Sequence, residues 1–303
     1  MRIIIGSRGS QLALWQANWV KERLTAAGYE LEIKIIKTTG DKLANIPLTQ
    51  SGTKGLFIKE IEEALVAEEV DLAVHSLKDL PTEQPERLTV AAVPEREDAR
   101  DVLISKAGRG FSELPPGARV GTSSLRRQSQ LRRLRADLEI VPMRGNLDTR
   151  LKKLDRGDCE AVVLAAAGVR RLGLADRITE YFSPEQLCSA VGQGALAIEI
   201  RADDQRMQKL VAPLDDSPTH RAVLAERAML CHLGGGCQVP IAAHATLTSE
   251  QLRLVGVVGS LDGSEIVRAS AFGPADEPEA LGATVARSLL EQGARAILES
   301  VKI

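Results

Sequence analysis

One cysteine follows directly after three glycines in the segment His232-Leu-Gly-Gly-Gly-Cys-Gln-Val-Pro240. Inside a helix or strand each glycine costs about 0.5–1 kcal/mol relative to alanine, so the run is typical of a turn. Pro240 stiffens the chain shortly after Cys237. A thiol in such a loop can be presented to a bulky group. A tight turn with an incidental cysteine explains the loop equally well, because free cysteines are more often packing residues than reactive ones.

One carboxylate, Asp79, stands among basic residues at the end of a predicted strand, directly after Lys78. A carboxylate in such surroundings is suited to stabilising a cation or holding an N–H group. The local sequence is explained at least as well by an Asp-x-Pro turn formed with Pro81.

Arginines and hydroxyl side chains recur just after predicted strands or at the first turns of predicted helices. In an open parallel sheet these positions line the crevice at the carboxyl ends of the strands, where ligands bind. Helix starts favour anions, and the guanidinium fork can bond both oxygens of a carboxylate or phosphate. The sequence therefore predicts a cleft for a multiply anionic ligand. The residues concerned are Arg8, Ser10, Thr122, Ser123, Ser124, Arg126, Arg127, Arg144 and Arg150.

Composition restricts the other classes of function. The arginine-rich stretch 125–135 could be a nucleic-acid helix, but aromatic residues make up only 3% of the chain and the net charge is −2, which disfavours that class. A zinc site built from Cys231, His232, Cys237 and His244 fits no common ligand spacing, so no metal is expected. No apolar run approaches the length of a membrane span, and residues 1–6 look like a strand rather than a signal peptide. We therefore expect a cytoplasmic protein with reduced cysteines.

Short apolar runs alternate with amphipathic stretches through most of the chain, which is typical of strands followed by helices in an α/β fold. The predicted strands are residues 2–6, 29–38, 71–75, 88–93, 119–121, 138–142, 161–165 and 195–200. The predicted helices are residues 10–27, capped by Ser10, and 56–68, 122–135 and 146–156. Residues 39–54 lack periodicity and are expected to form a long loop over a site.

The order of these elements predicts two doubly wound α/β domains and a third, smaller domain. The polar run 94–101 is expected to cross from the first domain to the second, and the strand 195–200 to cross back, which would make a hinge with the binding cleft between the domains. From about residue 217 a helix, three strands and two helices indicate a small α+β domain. The expected boundaries are 1–95 with 195–213, then 96–194, then 214–303.

Five motifs in this order resemble those of the porphobilinogen deaminase family, also called hydroxymethylbilane synthases. They are His75-Ser-Leu-Lys-Asp-Leu-Pro81, Gly121-Thr-Ser-Ser-Leu-Arg-Arg-Gln128, Arg144-Gly-Asn146, Val191-Gly-Gln-Gly194 and Gly235-Gly-Cys-Gln-Val-Pro240. Any one motif would be weak evidence, but five in order make chance agreement very improbable. The likeness extends from Arg8 to the last helices. It implies two periplasmic-binding-protein-like domains and a third domain that carries the cofactor.

The resemblance implies a transferase that joins four porphobilinogen molecules head to tail, releases ammonia each time, and frees a linear tetrapyrrole by hydrolysis. The primer would be a dipyrromethane cofactor held by a thioether to Cys237. Each pyrrole carries an acetate and a propionate, so the growing chain is a polyanion that requires many arginines. The resemblance also implies a monomer that acts on porphobilinogen, binds neither nucleic acid nor membrane, and passes its product to uroporphyrinogen-III synthase.

Individual roles follow from the same resemblance. Asp79 would be the catalytic carboxylate, holding pyrrole N–H groups and stabilising the azafulvene cation that forms as ammonia leaves. The implied cofactor contacts are Lys78, Asp79, Thr122, Ser123, Ser124, Arg126, Arg127, Arg144 and Gly145. The implied substrate contacts are Arg8, Ser10, Lys54, Phe57, Arg144, Arg150, Arg171 and Gln193.

One departure from the family pattern is Gln50, which stands where many members have lysine. One contact between that loop and a carboxylate would therefore be weaker or missing. The rival hypothesis is a non-catalytic two-domain protein that binds or senses an anion, which an arginine cleft and a hinge alone would permit. Cys237 and Asp79 discriminate between the two, because a pure binding protein needs neither.

Overall fold

The structure is a computed structural model that describes residues 2–42, 58–235, 239–248 and 251–301. The chain forms two compact units, a first unit of Met1–Arg96 with Ala195–His220 and a second unit of Glu97–Gly194 with Arg221–Ile303. The chain therefore passes between the units three times. In the described ranges, every helix is too short or too polar to cross a lipid bilayer.

The first unit contains a five-stranded sheet with the order β2-β1-β3-β10-β4. Strands β1, β2 and β3 are parallel, whereas β10 is antiparallel to both of its neighbours, β3 and β4. The strands are β1 (Arg2–Ser7), β2 (Glu30–Ile35), β3 (Leu72–Ser76), β4 (Leu88–Ala92) and β10 (Leu196–Arg201). The helices are α1 (Gln11–Ala26), α2 (Thr39–Lys42), α3 (Lys59–Val66) and α7 (Gln205–Val211).

Helix α1 shows how local sequence sets these elements. It begins after Ser10, whose side chain accepts a hydrogen bond from the backbone N–H of Ala13, so the predicted cap is confirmed. The helix buries Gln16, Val20 and Leu24, which lie one helical turn apart on one face. Val20 and Leu24 join strand residues of β1 and β3 in the core of the unit.

The second unit contains another five-stranded sheet, with the order β7-β6-β8-β5-β9. Strands β6, β7 and β8 are parallel, and β5 lies antiparallel to its neighbours β8 and β9. The strands are β5 (Asp101–Ser105), β6 (Arg119–Gly121), β7 (Glu139–Val141), β8 (Ala161–Ala165) and β9 (Glu180–Tyr181). The helices are α4 (Leu125–Leu134), α5 (Leu147–Arg156) and α6 (Ala166–Arg171).

A three-stranded antiparallel sheet with the order β11-β12-β13 follows helix α8 (Ser217–His232) and belongs to the second unit. Its strands are β11 (Ile241–Thr248), β12 (Gln251–Gly259) and β13 (Ile266–Pro274). Helices α9 (Pro278–Leu289) and α10 (Arg295–Val301) follow these strands, and the segment Leu290–Ala294 between them is kinked at Gly293, which has φ +102°. Leu281, Val285 and Leu289 of α9 enter the core of this sheet.

The predicted fold class is confirmed, with two α/β sheets and a small C-terminal α+β part. The strand predicted at 195–200 returns to the first unit as expected, since β10 lies in that sheet. The sequence pattern does not reveal β5, because Asp101 belongs to a polar run, and it also does not reveal β9 or the helices α6 and α7. Residues 39–42 of the predicted loop form helix α2 instead. Helix α4 begins at Leu125 rather than at residue 122, because Ser124 is its N-cap. The three-domain boundaries remain a prediction.

The two segments that lead out of and into the second unit's sheet pair with each other. The backbone N–H of Glu97 donates to the carbonyl of Gly194 at 3.2 Å. Gly194 has φ +89°, and a Cβ at this position would overlap the carbonyl oxygen of Glu97. Only glycine satisfies both the dihedral angle and the close backbone approach.

We expect Gly194→Ala to lower the free energy of unfolding by about 1–3 kcal/mol more than the control Gly173→Ala. Gly173 has φ +70°, but a Cβ added there would meet nothing within 4 Å, so its substitution carries only the dihedral cost of about 1–2 kcal/mol. Urea titration followed by circular dichroism measures both variants. If both variants lost the same free energy of unfolding, the backbone at Glu97 would be able to move away from an added Cβ without cost.

Candidate functional site

The first unit places four predicted site residues at the carboxyl ends of two adjacent strands. Strands β1 and β3 are parallel neighbours, with Ile5 opposite Leu72 and Gly6 opposite Ala73. Arg8 and Ser10 follow β1, and Lys78 and Asp79 lie in the 3₁₀ turn Leu77–Asp79 that follows β3. This turn is held by a hydrogen bond from the backbone N–H of Leu77 to the carbonyl of Ala195. Asp79 is exposed, as a carboxylate that meets a ligand must be.

Behind this turn lies a buried polar cluster that sequence reasoning missed. His75 Nε2 lies 3.0 Å from Glu199 Oε2, and both side chains are almost wholly buried. Gln84 Nε2 donates to the other Glu199 oxygen at 3.4 Å. Gln16 Nε2 donates to Ser76 Oγ at 2.8 Å, which connects α1 to the end of β3. These contacts support the strand end from which Lys78 and Asp79 project.

The second unit brings together a second group of predicted residues, again at the carboxyl ends of adjacent parallel strands. β6 lies between β7 and β8, so the residues that follow these three strands share one edge of the sheet. Arg150 Nε donates to the carbonyl of Gly145 at 2.8 Å, and Arg171 Nη2 donates to the carbonyl of Gly194 at 2.7 Å. The predicted residues placed here are Thr122, Ser123, Ser124, Arg126, Arg127, Arg144, Gly145, Arg150 and Arg171.

The three hydroxyl groups between β6 and α4 each accept a backbone N–H. Thr122 Oγ1 accepts from the N–H of Ser124, Ser123 Oγ from that of Met143, and Ser124 Oγ from that of Arg127. An accepting hydroxyl still has its own hydrogen to donate. Because Ser123 and Ser124 are only half-buried and stand at the start of a helix, they can offer these hydrogens to an anion.

The two arginines in the first turn of α4, Arg126 and Arg127, converge on one carboxylate, Asp101 of β5, which is fully buried. Arg126 Nη1 donates to Asp101 Oδ2 at 2.6 Å and to the carbonyl of Cys188 at 2.7 Å. Arg127 donates to Asp101 Oδ1 from Nε at 3.1 Å and from Nη2 at 2.7 Å, and to the carbonyl of Val163 from Nη1 at 2.9 Å.

Gln193, a predicted substrate contact, also belongs to this cluster. Its amide nitrogen donates to Asp101 Oδ1 at 2.9 Å and to the carbonyl of Ala99 at 2.8 Å. The side chain of Gln193 is almost wholly buried, so the sequence motif Val191–Gly194 contributes a group that holds the cluster together. Whether Gln193 also contacts substrate stays a prediction.

Burial and neighbouring charges have opposite effects on the pKa values of the residues in this cluster. Burial alone would raise the pKa of Asp101, but the charges of Arg126 and Arg127 and their hydrogen bonds hold that pKa well below its usual range. Burial lowers the pKa of Arg127, although the charge of Asp101 opposes that change. Burial also lowers the pKa of Arg171 to about 10, against the attraction of Glu97. Arg171 therefore keeps its positive charge at neutral pH.

A second buried carboxylate, Glu226 of α8, supports the segment that contains Gln193. Its Oε2 accepts the backbone N–H of Gly192 at 2.7 Å, and its Oε1 accepts that of Ala245 at 2.8 Å. Glu226 thereby joins the segment before Gly194 to strand β11. Asp101 and Glu226 were both missed from the sequence, because each takes its role from partners distant along the chain.

The first two glycines of the glycine run have structural roles. Gly234 ends α8 with φ +63°, and the N–H of Gly235 donates to the carbonyl of Leu230 at 3.1 Å. A Cβ on Gly235 would lie 2.6 Å from Ile241 Cδ1 and 2.7 Å from Leu230 Cδ1. The helix end therefore favours glycine at Gly234, and a side chain at Gly235 would have to displace the ends of the Leu230 and Ile241 side chains. Gly236, the predicted cofactor anchor Cys237, the predicted contacts Lys54 and Phe57, and Gln50 lie outside the described residues.

The other three cysteines differ in their suitability as reactive thiols. Burial raises the pKa of Cys188 to about 12. Burial, together with the nearby charge of Glu160, raises the pKa of Cys159 to about 11. Neither thiol forms an appreciable amount of thiolate at neutral pH. Cys231, on α8, is exposed. In the ranges that the structure describes, which do not include Cys237, no group of His, Cys, Asp and Glu side chains could hold a metal ion.

Two family models match the chain. One is described as "porphobilinogen deaminase, dipyromethane cofactor binding domain" and matches residues 3–209, and the other as "porphobilinogen deaminase, C-terminal domain" and matches residues 220–291. The chain is 54% identical over 299 residues to a porphobilinogen deaminase of Pelobacter propionicus, covering 98% of this chain and 96% of that one. It is 51% identical over 301 residues to one of Syntrophobacter fumaroxidans, covering 99% and 97%.

Among solved structures, the chain is similar to a lipoprotein of the YaeC family from Enterococcus faecalis V583. The TM-score is 0.41 and the identity 16%, over 71% of this chain and 91% of that chain. A likeness at this level carries no inference about function.

We expect Glu62→Gln to stabilise the first unit at neutral pH. Burial raises the pKa of Glu62, repulsion from Glu199 raises it further, and His75 lowers it. Because the folded-state pKa exceeds the unfolded value, the stability that Glu62 contributes is fully present below about pH 4 and is lost as pH rises through the folded pKa. The variant should therefore melt at a higher temperature than the unmodified protein at pH 7 to 8, and this gain should vanish near pH 4.

Thermal melts followed by circular dichroism across this pH range measure the effect. The control is Glu63→Gln, which removes an exposed carboxylate whose nearest cation, Lys59, is 3.8 Å away. An equal gain in both variants at neutral pH would assign the effect to net charge rather than to the buried cluster.

Proposed function

The chain belongs to the porphobilinogen deaminase family, and from this we propose how its own residues divide the work of the reaction. It is a transferase that condenses four porphobilinogen molecules head to tail on a dipyrromethane primer, releasing ammonia and finally the linear tetrapyrrole hydroxymethylbilane. The observation that carries the assignment is identity of about half the residues over nearly the full length of relatives with this activity in their names. This family membership also decides against the non-catalytic anion-binding alternative.

The residues of the second unit are chemically suited to the carboxylates of a dipyrromethane. In the described part of the chain, Arg126 donates hydrogen bonds only from Nη1, so its Nε and Nη2 edge can still face a carboxylate. Ser123 and Ser124 supply hydroxyl hydrogens at the start of α4. We assign cofactor carboxylates to this group, with Thr122, Arg127, Arg144, Gly145 and Lys78 as further contacts. When bound, the dipyrromethane would supply the free pyrrole α-carbon that attacks the first substrate, and the terminal pyrrole of the lengthened chain would supply it for each later one.

We propose that Cys237 is the cysteine that carries the cofactor as a thioether. The sequence motif around it supports this choice. The burial of Cys159 and Cys188, and the high pKa that results for each thiol, argue against those two. Cys231 is exposed and precedes the glycine run, so it is the natural alternative to test.

We propose that Asp79 is the catalytic carboxylate. It is exposed in a turn held at Leu77 and supported by the buried pair of His75 and Glu199, so its position is fixed while its oxygens remain accessible. Its negative charge would accept pyrrole N–H hydrogen bonds. It would also stabilise the positive charge that develops on the substrate methylene as ammonia departs, which lowers the barrier electrostatically.

The remaining basic residues would bind the substrate and the growing chain. Each pyrrole brings two carboxylates, so several permanently charged groups are required as the chain lengthens. Arg171 fits this role, because its guanidinium stays charged and its Nη2 is held at the carbonyl of Gly194. The proposed substrate contacts are Arg8, Ser10, Lys54, Phe57, Arg144, Arg150, Arg171 and Gln193.

We further propose that the enzyme acts as a monomer in the cytoplasm, on porphobilinogen alone and without nucleic acid or membrane. Its linear product would pass to uroporphyrinogen-III synthase. Size-exclusion chromatography with light scattering tests the oligomeric state, and a coupled assay with the synthase tests the transfer.

We expect the intact mass of the purified protein to exceed the sequence mass by one dipyrromethane. Cys237→Ser should remove the excess, because the thioether sulfur is lost, whereas Cys231→Ser should retain it. Electrospray mass spectrometry of the denatured proteins measures this. A wild-type mass equal to that of the bare chain would contradict the proposed function, and loss of the excess only in Cys231→Ser would move the anchor to that residue.

We expect Asp79→Glu to keep the cofactor but to lower kcat by at least about a hundredfold, the size of effect seen when a preorganised electrostatic group is removed. The added methylene displaces the charge from the developing cation without removing it. Steady-state rates and intact mass on the same preparation separate turnover from cofactor loading. Glu86→Gln, at an exposed carboxylate before β4, is the control and should turn over normally. Near-normal turnover of Asp79→Glu would exclude Asp79 from this role.

A further inference from the structure

We infer that Asp101 is a positioning residue for cofactor binding, which fixes the guanidinium groups of Arg126 and Arg127 in the orientation that receives the cofactor carboxylates. The inference rests on the proposed function, since it concerns how those two arginines are prepared for their ligand. Asp101 itself would not touch the cofactor, because its side chain is fully buried.

The geometry around Asp101 leaves little freedom to its partners. Oδ2 accepts one hydrogen bond, from Arg126 Nη1 at 2.6 Å. Oδ1 accepts three, from Arg127 Nε and Nη2 at 3.1 and 2.7 Å and from Gln193 Nε2 at 2.9 Å. Each guanidinium also donates to a backbone carbonyl, Cys188 for Arg126 and Val163 for Arg127. Both planar groups are therefore held from two directions.

The charges of this cluster do not balance, and the excess points to an anionic ligand. Two guanidinium cations share the single carboxylate that they contact, and both arginine side chains are about 95% buried. The other buried carboxylate of this region, Glu226, accepts hydrogen bonds from the backbone N–H groups of Gly192 and Ala245. An uncompensated buried charge is costly, and an arriving carboxylate would relieve it. Arg126 has the suitable edge for that carboxylate, since within the described residues its Nε and Nη2 donate to no other group.

The location of Asp101 in the sheet explains why this residue can orient Arg126 and Arg127. β5 is the antiparallel strand in the second unit's sheet and lies against β8, so its first residue is near the carboxyl end of β8, with Asp101 opposite Ala165. That is the edge of the sheet where α4 begins after β6. A carboxylate at the start of β5 therefore reaches the first turn of α4 from within the sheet.

The test compares Asp101→Asn and Asp101→Glu with a control of similar stability loss, Ile104→Ala. Ile104 is a buried residue of the same strand, and its side chain lies on the opposite face of the sheet from that of Asp101. All three variants should be less stable than wild type. For Asp101→Asn we expect the fraction carrying the dipyrromethane mass to fall at least about tenfold, as when groups that orient ligand-binding side chains are removed. Asp101→Glu, which keeps the charge, should recover part of the loading.

Ile104→Ala shows how much instability alone reduces the fraction of protein that carries the dipyrromethane. At a temperature well below its melting point, we expect all of this variant to carry it. Full loading of Asp101→Asn with an unchanged KM would overturn the inference, as would failure of both Asp101 variants to fold where Ile104→Ala folds, since the carboxylate would then serve the fold itself. Absence of the mass excess from wild type would instead refute the proposed function. The two failures are thus distinguishable.

Discussion

The second unit depends on one constraint, that the buried carboxylate of Asp101 must be neutralised and hydrogen-bonded within the protein. An ion of this kind costs several kcal/mol to remove from water unless its partners are well placed. Its partners come from the first turn of α4 and from Gln193. The position of α4 is therefore determined by an ion-pair network as well as by apolar packing. The hydroxyl groups of Ser123 and Ser124 lie at the same helix start, so this network also fixes the position of the proposed anion-binding groups.

The two α/β sheets use the same arrangement independently. In each, a strand inserted antiparallel among parallel neighbours carries a fully buried acid, Glu199 on β10 and Asp101 on β5. In the first sheet the acid is paired with His75, at the end of the strand before Asp79. In the second sheet it is paired with Arg126 and Arg127, just after the Thr122 to Ser124 segment. In both sheets the proposed ligand contacts Asp79, Ser123 and Ser124 are exposed or half-buried, and a buried, hydrogen-bonded acid lies behind them. A flexible surface loop could not hold charged side chains in such defined orientations.

Most of the fold could be predicted from the sequence because hydrophobic period and helix caps are local signals. Ser10 caps α1 as predicted, and β6 and β8 begin and end at the predicted residues. The sequence does not predict β5, because Asp101 follows a run of polar residues and is therefore expected at the surface. The charge is tolerated in a strand only because Arg126, Arg127 and Gln193 lie beside it, at sequence separations of 25, 26 and 92 residues. Local pattern contains no information about such partners.

The glycine run shows how one motif can combine structural and chemical requirements. Gly234 and Gly235 are explained by the end of α8 and by close packing against Leu230 and Ile241, with no reference to a ligand. The glycines alone are therefore no evidence for a bulky group at the cysteine. The stronger argument for Cys237 comes from the other thiols. Thioether formation requires a thiolate that its reaction partner can reach. Burial raises the pKa of Cys159 and Cys188 and also makes both sulfurs inaccessible. The choice is reduced to Cys231 and Cys237, and only Cys237 lies within the family motif that follows the end of the helix.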